Sequence, residues 1–60
     1  MNVTEFTKRF NTKIESIKKE WTEPVACIKI IQEIGYYLGY CAAMKWPPDL
    51  KAVDNAKKQM

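Results

Sequence analysis

The chain has 60 residues, with ten Lys and Arg against seven Asp and Glu, two cysteines and no histidine. A domain of this size buries a small share of its surface and needs a disulfide, a metal, self-association or close helix packing to be stable. Without histidine there is no common zinc ligand set and no side chain that ordinarily titrates near neutral pH, and a net charge of +3 suits an acidic partner without requiring one.

The N-terminal residues alternate charged and apolar types, so no secretory leader is expected. A first helix is predicted from about Val3 to Trp21, with Asn2 as N-cap and Glu5 at the capping-box position. Its apolar residues Val3, Phe6, Phe10, Ile14, Ile17 and Trp21 are spaced 3, 4, 4, 3 and 4 apart. They project within about 80° of arc, a seam as narrow as that of a bundle helix. The lysines around it are interleaved with Glu5, Glu15 and Glu20, the pattern of a solvated face and not of a phosphate-tracking stripe.

Thr22-Glu23-Pro24 breaks the chain, with Thr22 available as a cap and proline suited to a first helical turn. A turn this short predicts an antiparallel hairpin. The second helix is predicted from Glu23 to about Trp46, centred on Cys27, Ile31, Ile34, Leu38 and Cys41. Its apolar positions cover about 220° of arc, more than one neighbouring helix can bury. Lys29, Gln32 and Glu33 inside this run argue against a membrane span.

Pro47-Pro48 ends that helix. A short third helix, from about 48 to 58, opens with Asp49 and closes with Lys57 and Lys58, signs that complement its dipole. Its apolar face of Leu50, Val53 and Met60, with Ala52 and Ala56, is weak, so it must dock to persist. The expected fold is therefore all-α: one domain over 1–60, a long antiparallel hairpin (about 3–21 and 23–46) plus a short C-terminal helix, assembled as a homo-oligomer.

Little here could carry catalysis. Cys27 and Cys41 fall in the apolar arc, where burial makes a thiol unreactive. On one unbroken helix they stand roughly 21 Å apart, too far for an intrachain disulfide, which fits a reducing, cytoplasmic compartment. Neither an enzyme nor a bound cofactor or metal is expected.

Two features point to binding. Gly35, Gly39 and Ala43 recur every fourth residue and make a smooth groove for a closely approaching backbone, bounded by Trp46. These four are the expected self-association or close-packing residues, with Phe6 or Phe10 of the first helix as the alternative occupants. Tyr36 and Tyr40, on a face with Lys29 and Glu33, have the composition of a protein-binding hot spot with a charged rim. The function expected is that of a small interaction protein that binds and modulates another macromolecule, most strongly a protein, as an inhibitor or adaptor. A nucleic-acid-associated regulator is the second reading. A small-ligand binder, its pocket lined by tyrosines and glycines at a subunit interface, is the third.

Overall fold

The computed structural model describes residues 2–60. The chain forms three α-helices, α1 (Val3–Glu20), α2 (Val25–Met44) and α3 (Leu50–Lys58), with no strand among the described residues. Each helix touches the other two. The molecule is 33 Å long and 16 Å across, a length set by the 20-residue α2 at about 1.5 Å per residue.

α1 starts where its cap places it: the Glu5 amide donates to Asn2 Oδ1 at 2.9 Å. Phe6, Phe10 and Ile14 are buried along its seam, flanked by the partly buried Val3 and Ile17. Trp21 does not continue that seam. It is the extended C-cap, and its half-exposed ring lies under Lys29, with Nζ 4.4 Å from the ring centroid. Thr7, beside the apolar seam, is buried as well.

α2 begins two residues later than the sequence predicts. Pro24 takes the N-cap position with no side-chain cap; the Thr22 backbone carbonyl, not its hydroxyl, accepts from the Ala26 amide at 3.0 Å. The helix also ends two residues early, at Met44. Lys45 turns left-handed (φ 59°), its amide donates to the Ala42 carbonyl at 3.2 Å, and Trp46 donates to the Cys41 carbonyl at 2.8 Å. This Schellman turn satisfies the terminal carbonyls before the prolines can act. It also redirects Trp46 onto the core, 6.0 Å from Phe6 and 5.8 Å from Tyr40 between ring centroids.

The register of the hairpin is antiparallel. Phe6 faces Tyr40 with ring centroids 4.6 Å apart, Phe10 stacks on Tyr37 at 4.5 Å, and Lys13 meets Glu33 at 3.9 Å, so α2 numbers fall as α1 numbers rise. α3 then closes one flank with Ala52, Val53 and Ala56, small side chains that permit close approach. Its larger apolar residues, Leu50 and Met60, are exposed, contrary to the sequence expectation. Asp49 caps it, Oδ1 accepting from the Lys51 and Ala52 amides at 3.0 and 3.3 Å.

The buried line of α2 differs from the predicted one. Ala26, Ile30, Tyr37 and Cys41 are buried, Cys27, Ile34 and Leu38 sit at the margin, and Ile31 is exposed. The helix is turned by about 70° relative to the expected centre line. Tyr37 accounts for the turn. Its ring stacks between Phe10 and Phe6 (5.4 Å), and its hydroxyl bonds Thr7 Oγ1 of α1 at 2.7 Å and accepts from the Asp49 amide ahead of α3 at 2.9 Å.

Tyr37→Phe keeps the ring but leaves the buried Thr7 hydroxyl and the Asp49 amide without a partner. It should destabilise the fold by about 1–3 kcal/mol in urea denaturation. Lys45→Gly should act oppositely. Left-handed backbone is unfavourable for a residue with Cβ, so glycine should stabilise by up to about 1 kcal/mol and raise the melting temperature by several degrees.

Candidate interaction site

On the open side of the α1–α2 seam lies a shallow cleft of about 200 Å³, walled by Phe6, Arg9, Phe10 and Lys13 from α1 and by Glu33, Tyr36, Tyr37 and Tyr40 from α2. Phe6, Phe10 and Tyr37 form its floor because they belong to the core. Tyr40 is half-buried at one end, between Phe6 and Trp46. Tyr36 stands at the rim with 58% of its surface exposed, 6.1 Å from the Tyr40 ring and 6.3 Å from Phe6.

Lys13 joins the two walls. Its Nζ lies 3.9 Å from Glu33 Oε2 and 5.6 Å from the Tyr36 ring centroid. A half-exposed pair at that distance adds at most about 1 kcal/mol, so it shapes the rim more than it stabilises the fold. Arg9 supplies a second, exposed cation beside the aromatics.

Three of the four residues singled out for partner binding thus share one cleft: Tyr36, Tyr40 and Glu33. Lys29 is one turn away, over Trp21, in a second depression that it and Glu33 both line. Glu33, four residues on from Lys29, pairs with Lys13 instead. Nor is this an outer face of the hairpin: Lys29, Glu33 and Tyr40 are half-buried along the seam, and of the two tyrosines only Tyr36 is dispensable to packing. Arg9 and Lys13 escaped the sequence reading. Their place beside Tyr36 depends on the register between helices, which spacing within α1 does not encode.

The glycines lie elsewhere. A methyl group at Gly35 or Gly39 would meet nothing within 4 Å, so neither Phe6, Phe10 nor any other described residue fills the groove. Ala43 is exposed with them, whereas Trp46 is turned by the Lys45 cap to the tyrosine side. Among the described residues the tyrosines of the cleft and the glycines do not line one pocket. The cleft is also smaller than the roughly 300 Å³ at which small-molecule pockets begin.

Both cysteines are free, Cys41 buried and Cys27 half-buried. Partial desolvation, then the Glu23 carboxylate, push the Cys27 thiol above its ordinary value, while Lys18 opposes them. Its S–H donates to Glu23 Oε1 at 3.6 Å. No helix among the described residues is long and apolar enough to cross a membrane. No protein-family model matches the chain, nor does any curated protein or solved structure match it significantly.

A raised thiol pKa means less thiolate at a given pH, hence slower alkylation. Cys27 in the native protein should therefore react with iodoacetamide at pH 8 more slowly than a cysteine in a short peptide. Glu23→Gln removes a charge that raises the pKa and should accelerate the reaction. Mass spectrometry of the labelled peptides measures both rates.

Proposed function

We propose that this chain is a small, non-enzymatic interaction protein that binds another protein through the Tyr36 cleft and modulates it by steric occupation. The observation that carries the reading is Tyr36. It is a large aromatic side chain, mostly exposed, held at the edge of a rigid aromatic floor and beside two cations. Rigid rings at a partly desolvated centre with charges at the rim are the composition of binding hot spots. Arg9, with its planar fork of donors, suits a carboxylate on the partner. The shallow volume favours a side chain of a protein surface over a free small molecule.

The nucleic-acid reading is less well supported. Lys13 is engaged with Glu33, which also brings a negative charge into the same cleft. Self-association belongs to the proposal as well, because α1 and α3 leave an apolar face of α2 uncovered. A cytoplasmic setting fits two cysteines that remain thiols.

Affinity capture from a cell lysate, followed by calorimetry with the recovered partner, tests the cleft. Tyr36→Ala should cost about 2 kcal/mol of binding, roughly thirtyfold, while leaving stability within about 0.5 kcal/mol of wild type. Tyr40→Ala is a poor substitute because Tyr40 also packs against Phe6 and Trp46. Equal binding by Tyr36→Ala moves the site elsewhere. A steep fall of affinity with salt, with nucleic acid in the captured material, overturns the protein-binding reading.

A further inference from the structure

The exposed face of α2 is unusual in both content and order. Ile31, Ala42, Gly35, Ile28 and Gly39 fall within about 80° of arc on the helix, all solvent-exposed, with Ile28 at 55% and Ile31 at 57%. No charged residue interrupts that arc. Along the axis the two bulky residues occupy the N-terminal half and the small ones the C-terminal half, with Gly35 midway.

We infer that this face is the docking surface for a second copy of the same chain, paired antiparallel about a two-fold axis at Gly35. This deepens the self-associating part of the proposed function and is independent of what binds at Tyr36. A two-fold axis there sets Ile28 against Ala42 of the partner, Ile31 against Gly39 of the partner, and Gly35 against its symmetry mate. Every bulky side chain meets a small one, so the helices can lie close along their length. A parallel pair would set bulk against bulk at one end and leave a gap at the other.

Charge agrees with size. The exposed charges bracketing this face are Glu23 before α2 and Lys45 after it. Antiparallel pairing brings the end of α2 that follows Glu23 beside the end of the partner that precedes its Lys45, and it aligns the two helix dipoles head to tail. Parallel pairing would face like with like.

Exposed area agrees with an uncovered face. The chain exposes 4337 Å², whereas a monomer of 7.0 kDa typically exposes about 4,000 Å².

Sedimentation equilibrium of the full chain at 10–100 µM tests association, and oxidative trapping in a Cys27→Ser background tests geometry. A mass near twice 7.0 kDa is expected. Gly35→Cys should cross-link to itself on oxidation. Gly39→Cys and Ile31→Cys should each fail to self-link, their symmetry mates lying about 12 Å apart, yet link to one another when mixed. Gly35→Arg has room in the single chain and should keep its circular dichroism spectrum while weakening the dimer at least tenfold. A monomer at these concentrations overturns self-association and geometry together and leaves the face to a different partner. A dimer in which Gly39→Cys links to itself overturns the antiparallel pairing alone, whereas one in which Gly35→Arg still associates overturns this face as the interface. Neither result touches the Tyr36 cleft, which is read by the calorimetry above.

Discussion

The tyrosine at the centre of α2 ties the three helices together. A fully buried aromatic ring removes 150–250 Å² from water, worth roughly 4–6 kcal/mol by area before other contributions are subtracted. A phenylalanine would gain the same. What the Tyr37 hydroxyl adds is a condition, because a buried polar atom without partners is unfavourable by about 1–3 kcal/mol. It is satisfied only when Thr7 of α1 and the amide ahead of α3 both arrive at one point. A shift of α1 by one turn, or of the α2–α3 connection by one residue, would break the arrangement. The hydroxyl therefore selects one packing among several that the ring alone would accept.

The rest of the architecture follows from turning Tyr37 inward. α2 carries apolar residues around most of its circumference, and two shorter helices can cover only part of it. With Tyr37, Ile30 and Cys41 against α1 and α3, the opposite face of Ile28, Ile31, Gly35 and Gly39 is left to solvent. The same rotation carries Tyr40 and Glu33 to the seam and leaves Tyr36 at its lip. Both candidate binding surfaces thus result from one orientation of one helix.

The number and order of the helices, the cap at Asn2, and the seam of Phe6, Phe10 and Ile14 were legible from period and punctuation. These depend on local backbone chemistry and on a pattern with a clear minimum. The facing of α2 was not legible, because a helix apolar over about 220° has no unique inner side and the packing partners choose it. The burial of Thr7 was not legible for a related reason: a threonine in a polar stretch signals burial only once its distant partner is known. The ends of α2 were misplaced at both sides. Proline at 24 and prolines at 47 and 48 suggested longer limits than the backbone hydrogen bonds allow, since a left-handed lysine is not a stop signal that composition reveals. In the Tyr36 cleft the α2 residues were visible as a cluster, whereas Arg9 and Lys13 enter through the hairpin register.

The two surfaces also have a geometric relation that bears on function. Tyr36 lies about 100° around α2 from Gly35, and its cleft opens toward α1, away from the face proposed to pair. Docking of a second copy at that face would leave both clefts open, one on each protomer and related by the two-fold axis. A partner that presents its own binding groups in pairs could then engage both, and the second contact would form at the high effective concentration set by a rigid dimer instead of a flexible linker. A chain of this size has little area for a strong single contact. Doubling one modest cleft through the pairing proposed for α2 would let it reach higher avidity without a larger fold.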